Sequence, residues 1–349
     1  MLLSGVAHSY FLPMTSLLAY VVWNPDPILA QIGPLTLRWY GLLFMSGFVV
    51  GTPIFQHIFR CENVSPRWVE VLTLYVLVGT VVGARLGHIF FYEPDILLKD
   101  PLEVFKVWHG GLASHGATLS IPLACWLFAR RHQFDTLWVL DRIVLVVGIG
   151  GACIRLGNFM NSEIGGYPTT VPWAVVFPRD TEHLLPATRP LPAGAVLVAL
   201  PVRQPTGEIS HWILPAAAIG PDALMAVPRH PTQLYESLYC VLLVSLLYYL
   251  WNRTKARTPR GLLLGLFLVL LFTQRFLGEF LKEAQVDFEK DHLLNQGQLL
   301  SVLPILVGLW LLWRVGKDPK NPYGHAPRDL DEPLPTERVV ASLPVGSNK

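Results

Sequence analysis

Charged residues are scarce in this sequence, and their scarcity excludes several classes of protein. Asp, Glu, Lys and Arg make up 15% of the 349 residues, whereas an ordinary soluble domain carries about 25%. The formal net charge of +2 offers no strongly basic surface of the kind that binds nucleic acid. Because 52% of the residues are hydrophobic, we predict an integral membrane protein that has no nucleic-acid partner.

Cysteines are few, and the motifs of some membrane enzymes are missing. No two of the four cysteines form a CxxC pair, and three of them, Cys125, Cys153 and Cys240, lie in apolar runs. We interpret these as small core residues rather than disulfides or nucleophiles. The sequence has neither the GxSG nor the GxGD motif of intramembrane proteases and no cluster with metal-ligand spacing. We therefore predict no metal and no cofactor.

Long apolar runs predict the fold. A bilayer core of about 30 Å requires roughly 20 mostly apolar residues per helix. We predict an all-α membrane protein, a bundle of seven transmembrane helices, at 39–59, 69–92, 110–129, 137–155, 233–251, 261–281 and 298–316. The first 23 residues are also apolar, but Pro13 and the NPDP sequence that begins at Asn24 argue against an eighth span. Met14 is an alternative start.

The positions of Lys and Arg predict the orientation of the bundle. These residues concentrate in the segments that follow the first, third, fifth and seventh predicted spans, and such segments face the cytoplasm. The N-terminus is then outside and the C-terminus inside.

This orientation gives three regions, which are an extracytoplasmic segment (1–38), the membrane domain (39–316) and a cytoplasmic tail (317–349). The tail is rich in proline and charge, and we predict that it is disordered. A long extracytoplasmic segment, 156–232, separates the fourth and fifth spans. Loops of this length often carry function, so the segment either handles substrate or is a passive insertion.

Ionisable residues inside the predicted spans mark a candidate site, because such residues are costly in a bilayer. Glu70, Asp141 and Arg142 lie towards the inner side. The other ionisable residues, together with further polar residues, lie at one depth in the outer half, which favours a site near the outer headgroups over an ion pathway across the membrane. The residues of this outer group are Tyr40, Arg85, His88, His115, Arg155, Tyr235, Glu236, Arg275, Glu279, Gln298 and Ser301.

Residue spacings predict that some of these groups are paired. Arg275 and Glu279 are four residues apart, which places them on one helix face, and Arg155 and Asn158 are three apart. Such pairs are either part of a reaction site or internal salt bridges of the bundle. His115 lies among small residues, which permit either close helix contact or close approach of a headgroup. It is equally a candidate base and a packing residue.

Five short segments, in order along the chain, resemble those of the prolipoprotein diacylglyceryl transferases. They are LRWYG (37–41), HGGLASHG (109–116), RLGNFMNSE (155–163), RHPTQLYES (229–237) and RFLGEF (275–280), with weaker support from GQLLSVL (297–303). The resemblance runs from about Leu37 to Gly316. It implies an enzyme of the bacterial cytoplasmic membrane, with its active site facing the outer leaflet. The implied reaction moves the diacylglyceryl group of phosphatidylglycerol to the lipobox cysteine of a prolipoprotein, and no metal or cofactor takes part.

The resemblance also assigns roles to residues. The catalytic set it implies is His115, Arg155, Arg275 and Glu279. The set that it implies for binding phosphatidylglycerol is Tyr40, Arg155, Asn158, Glu163 and Arg275. Four positions depart from the family pattern, at Ala117, Ile154, Ser162 and Lys282, and they bear on lipid preference, substrate range and rate. A specialised or non-catalytic relative that binds lipid and prolipoprotein is an alternative, and so, more distantly, is a transporter, although we find no internal repeat.

Overall fold

A computed structural model gives the structure of most of the chain. It describes residues 20–33, 35–96, 100, 102, 104, 113–187, 193–198, 202–203, 209–210, 213–214, 224–282 and 294–318. The long helices are α1 (Trp39–Cys61), α2 (Arg67–Tyr92), α3 (Ser114–His132), α4 (Thr136–Met160), α5 (Thr232–Thr254), α6 (Leu262–Gly278) and α7 (Gln296–Lys317). Short 3-10 turns lie at Thr181–His183, Lys255–Arg257 and Glu279–Leu281.

Six of these seven helices are long and apolar enough to cross a membrane, and α3 is the exception. A mostly helical membrane protein is therefore confirmed. α3 begins at Ser114, and its serines, glycine and terminal arginines lower its apolar character. The number of spans and the orientation stay predictions. The predicted absence of an eighth span and the predicted disordered tail fall mainly on residues 1–19 and 319–349, which lie outside the described residues.

Two of the inner-side charges predicted from the sequence hold helices together. Asp141 on α4 is fully buried, and its carboxylate accepts hydrogen bonds from the backbone N–H groups of Gly261 at 2.7 Å and Leu264 at 2.8 Å. These groups belong to the start of α6, where N–H groups have no partner within the helix. Arg142 lies 2.9 Å from Glu62, and both side chains are completely buried.

Two indole groups complete the Glu62 site. Trp138 donates to its carboxylate at 2.9 Å and Trp251 at 2.6 Å. The ion pair therefore joins α4 and α5 to the chain that leaves α1. Removing one partner of such a buried pair leaves an uncompensated charge and costs several kcal/mol.

Small residues bring α2 and α3 into close contact. Gly83 and Gly87 on α2 face Gly116 on α3, and a Cβ added at Gly87 would stand 2.7 Å from the Cα of Gly116. One turn further along, a Cβ at Gly79 would stand 2.8 Å from the Cβ of Ala124. The prediction that the small residues around His115 permit close helix contact is confirmed.

The prediction of an all-α protein is too simple, because short strands occur before α1 and between α4 and α5. They are β1 (Val21–Val22), β2 (Ile28–Ile32), β3 (Leu35–Arg38), β4 (Val175–Val176), β5 (Leu185–Pro186), β6 (Val196–Val198), β7 (Val202–Arg203), β8 (Ile209–Ser210), β9 (Ile213–Leu214), β10 (Leu224–Ala226) and β11 (Pro228–Arg229). Strand orders are β1-β4-β11, β5-β10-β6-β9, β2-β3 and β7-β8. α4 also continues to Met160, past the predicted boundary at 156.

The chain folds into two compact units, each assembled from separate stretches of sequence. The first contains Met1–Leu43, Ile154–Ser237 and Leu277–Asn295, which include all of the strands. The second contains Phe44–Cys153, Leu238–Phe276 and Gln296–Lys349. Its core is a large apolar cluster that includes Phe59, Trp68, Phe128, Leu247 and Trp251. The predicted boundaries at 38 and 316 concern membrane topology, which this division does not test.

Candidate functional site

The RLGNFMNSE segment forms the last turns of α4 and the turn that follows. Arg155 and Asn158 are three residues apart on the helix, so their side chains meet. Nη1 of Arg155 donates to Oδ1 of Asn158 at 3.4 Å, which confirms the predicted pairing. Asn158 is buried, and the side chain of Arg155 is 19% exposed. The guanidinium is therefore partly shielded yet still accessible.

Gly157 leaves room for the ring of Tyr40 within the same motif. Tyr40 lies in the first turn of α1. A Cβ at position 157 would stand 2.8 Å from Cδ2 of the ring, and a larger side chain would displace it. The first-span tyrosine and the RLGN motif, which the resemblance assigned to one site, are thus in contact.

The carboxylate of Glu163 turns back towards the end of α4. Asn158 donates to Oε2 at 3.2 Å, and Asn161 donates to Oε1 at 3.0 Å. The residues on either side of Glu163, Ser162 and Ile164, both have φ of 59°. This left-handed conformation costs roughly 1–2 kcal/mol for an L-residue. The surrounding contacts hold Glu163 in place against this strain.

Part of that support comes from the RHPTQLYES segment at the start of α5. Thr232 donates its hydroxyl to the carbonyl of Ile164 at 2.8 Å, and the side-chain amide of Gln233 donates to the carbonyl of Glu163. Arg229 donates to the carbonyl of Gly166 at 3.1 Å. Two motifs far apart in sequence therefore build one turn.

Glu236, one helical turn further along α5, joins Arg155 to a second cation. Its Oε2 lies 2.5 Å from Nε of Arg155, and its Oε1 lies 2.6 Å from Nζ of Lys282. Nζ of Lys282 is also 3.3 Å from Oε1 of Glu279. Asn295 donates to the other oxygen of Glu279 at 3.2 Å. Glu236, Glu279 and Lys282 are all buried.

Among the described residues, this cluster contains more negative than positive groups. Its described cations are Arg155 and Lys282, and its described carboxylates are Glu163, Glu236 and Glu279. A phosphate group would add further negative charge, and like charges in a partly buried site repel strongly. Further positive charge is therefore needed before the cluster holds a phosphate well.

Arg275 and His115, two other predicted site residues, belong to the second unit. Arg275 lies in the last turn of α6 and is half-buried. The backbone of His115 lies in the first turn of α3, and its side chain lies outside the described residues. α6 ends at Gly278, so Glu279 begins a 3-10 turn and does not continue the α-helical face predicted for it. A common site for His115, Arg155 and Arg275 stays a prediction.

Four polar residues of this cluster were not among the predicted site residues. Glu236 was noted only as an ionisable group in a span, Lys282 only as a departure from the family pattern, and Asn161 only as part of a motif. Asn295 was not noted at all. Their roles depend on contacts between distant segments, for which local spacing carries no signal. Within the part of the chain that the structure describes, no three His, Cys, Asp or Glu side chains are grouped as metal ligands.

Comparison with known proteins gives a consistent result. Residues 27–314 match the family model described as prolipoprotein diacylglyceryl transferase. A protein of Porphyromonas gingivalis named phosphatidylglycerol--prolipoprotein diacylglyceryl transferase is 39% identical over 310 residues, which cover 86% of this chain and 96% of that protein.

Two further relatives carry the same name. The protein of Tolumonas auensis is 39% identical over 298 residues, covering 85% of this chain and 98% of its own length. The protein of Chloroherpeton thalassium is 38% identical over 300 residues, covering 85% of this chain and 94% of its own length. With the family model matching most of its length, this chain belongs to the prolipoprotein diacylglyceryl transferase family.

Proposed function

We propose that this chain transfers the diacylglyceryl group of phosphatidylglycerol to the lipobox cysteine of prolipoproteins, the first step of bacterial lipoprotein maturation. The thiolate of the client attacks the glyceryl carbon that bears the phosphate. An S–C bond forms as the C–O bond breaks, and glycerol phosphate leaves with the electron pair of that bond. The thiol proton passes to a base. These substrates are named in the relatives, except for the lipobox, which rests on the family resemblance.

One observation carries the proposal for this chain, namely the way in which Arg155 is held. Its Nε is engaged by Glu236 and its Nη1 by Asn158. The side chain of Arg155 is nevertheless 19% exposed. A guanidinium binds phosphate oxygens through its N–H groups, so Arg155 presents a fixed donor to the leaving phosphate.

The remaining roles follow from the chemistry of the side chains. We assign Arg275 as the second cation at the phosphate, which offsets the excess of carboxylates around Arg155. His115 is the base that accepts the thiol proton, because imidazole changes charge near neutral pH. Tyr40, Asn158 and Glu163 bind the glycerol headgroup, whose hydroxyls match their donors and acceptors. Glu279 orients the cations beside it.

The membrane arrangement is part of the same proposal. Seven spans with the N-terminus outside place the ends of α4 and α6 that carry Arg155 and Arg275 at the outer leaflet of the cytoplasmic membrane. The support is the bias of Lys and Arg towards four segments on the opposite side. Phosphatidylglycerol then reaches the site from the outer leaflet, together with the prolipoprotein.

The test is a mass measurement on a lipobox peptide that has been incubated with phosphatidylglycerol and the purified protein. We expect the peptide to gain one diacylglyceryl group and an equal amount of glycerol phosphate to appear. A matched peptide with serine in place of the lipobox cysteine should stay unmodified. A folded protein that binds both substrates and forms no thioether would contradict the proposal and favour a non-catalytic relative.

A further inference from the structure

Lys282 is a buried cation whose charge is shared between two carboxylates. Its side chain is 3% exposed, and Nζ lies 2.6 Å from Glu236 and 3.3 Å from Glu279. An ammonium group at such a position is costly unless it is paired. Because Glu236 is also paired with Arg155, the placement of Lys282 affects more than its own burial.

The two oxygens of Glu236 serve different cations. Oε2 faces Nε of Arg155 at 2.5 Å, and Oε1 faces Nζ of Lys282 at 2.6 Å. A carboxylate that faced Arg155 alone would cancel the charge of that arginine. Lys282 on the other oxygen offsets part of the negative charge of Glu236. Without Lys282, Arg155 would be the single described cation beside the three carboxylates of the cluster, which would weaken its attraction for an anion.

The contact with Glu236 also fixes the orientation of the guanidinium plane. Arg155 is held at Nε by Glu236 and at Nη1 by Asn158. Because the guanidinium is rigid and planar, these two contacts fix the orientation of all its N–H groups. Fixed donors accelerate a reaction more than mobile ones, since no reorganisation is required as charge develops.

We infer that Glu236 is a positioning residue for Arg155, and that Lys282 is the counter-charge that keeps Arg155 available to an anionic phosphate headgroup. The inference rests on the proposed function for the identity of the reaction. It assigns separate effects to the two residues. Glu236 orients the arginine and so acts on the rate of the chemical step, whereas Lys282 supplies charge and so acts on headgroup binding.

The test measures kcat and KM for phosphatidylglycerol in three variants. Glu236→Gln should lower kcat about tenfold or more, because the ion pair that orients Arg155 is lost, while KM does not rise. Lys282→Gln should raise KM about threefold or more, because Glu236 is then compensated by Arg155 alone. In the double variant, KM should return to within about twofold of the wild-type value, while kcat stays low.

Two further variants serve as controls. Lys282→Arg keeps the positive charge and should restore most of the affinity lost in Lys282→Gln. Asp135, which pairs with Arg260, is outside the cluster, so Asp135→Asn should leave kcat and KM unchanged. The thermal unfolding temperature of every variant is measured. The double variant has no charge at position 236 or 282, so neither position is left with an unpaired charge. It can therefore be compared with the wild-type protein even where a single variant does not fold.

The results separate this inference from the proposed function. Recovery of kcat in the double variant, or an unchanged KM in Lys282→Gln, would overturn the inference while leaving the function intact. A wild-type protein that forms no thioether would overturn the function instead. In that case, the affinity of each form for soluble dihexanoyl phosphatidylglycerol tests the inference without relying on catalysis. Weaker binding by Lys282→Gln with recovery in the double variant supports it, and equal binding by all forms rejects it.

Discussion

At the scale of the residue, the proposed chemistry depends on a planar cation held at two of its nitrogens. Arg155 contacts Glu236 through Nε and Asn158 through Nη1, which leaves a donor in a defined direction. Lysine offers a single ammonium on a flexible stem and does not reproduce this geometry. A substitution that preserves charge alone should therefore preserve only part of the function.

We expect Arg155→Ala to abolish diacylglyceryl transfer and Arg155→Lys to restore it only in part. Loss of a fixed donor to a developing anion typically costs about 3 kcal/mol or more in a partly dry site. Arg275→Ala should have the same effect if Arg275 serves the same phosphate. The initial rate of thioether formation measures this, with the unfolding temperature as the control for folding. An alanine variant that stays fully active would remove that arginine from the mechanism.

The strained turn around Glu163 gives a prediction about stability. Ser162 has φ of 59° and is buried, and its hydroxyl has no hydrogen-bond partner among the described residues. Glycine adopts this conformation without steric cost, so Ser162→Gly should stabilise the protein by about 1 kcal/mol. Thermal unfolding in detergent checks this. A lower unfolding temperature would show that the serine contributes a contact whose loss outweighs the relief of strain.

The residues of the site differed in how far the sequence could predict them. The spacing of Arg155 and Asn158 on one helix was enough to predict their contact, whereas Glu163 and Tyr40 were assigned by resemblance. Glu236 and Lys282 required the structure, because their contacts join three segments that lie far apart in the chain. No local pattern encodes such an arrangement.

At the scale of the element, the contact between α2 and α3 depends on the absence of side chains. Gly79, Gly83 and Gly87 recur every four residues and so lie on one face of α2. A Cβ at Gly83 would overlap the hydroxyl of Ser120 and lie 2.9 Å from the carbonyl of Gly116. His115 immediately precedes Gly116, so this contact also fixes the backbone of the proposed base.

We expect Gly83→Val to lower both stability and activity, because the added atoms force α2 and α3 apart. Overpacking of this kind typically costs about 1–3 kcal/mol. Gly150→Ala is a matched control, because it is a helical glycine with open space around the added Cβ, and alanine there should raise stability by about 1 kcal/mol. Unfolding temperatures of the two variants should move in opposite directions. Movement in the same direction would contradict this account of the packing.

Elements also differed in how well the sequence predicted them. Runs of about 20 apolar residues located all seven long helices to within a few residues, since helices of this length leave a clear pattern. The strands were missed because most contain two or three residues, too few for an alternating pattern to be recognised. The end of α6 at Gly278 was missed because the apolar residues Phe280 and Leu281, which follow it, extend the hydrophobic pattern past the end of the helix.

At the scale of the whole molecule, the distribution of Lys and Arg predicts which side of the membrane each segment faces. We expect a reporter fused after Arg257 to behave as cytoplasmic and one fused near Gly207 as extracytoplasmic. The two positions lie on either side of α5, one of the six helices able to cross a membrane. Reversal of both results would invert the orientation and place the Arg155 cluster at the inner leaflet.

The central claim is that the attacking sulfur belongs to the client and that the chain supplies only the base and the cations. The most direct test follows the masses of peptide and protein together, during one turnover of a variant in which Cys61, Cys125, Cys153 and Cys240 are all alanine. We expect the lipobox peptide to gain the diacylglyceryl group while the mass of the protein never changes, and His115→Gln to slow the reaction. A cysteine-free protein that is folded but inactive, together with a His115→Gln variant that works normally, would contradict the account.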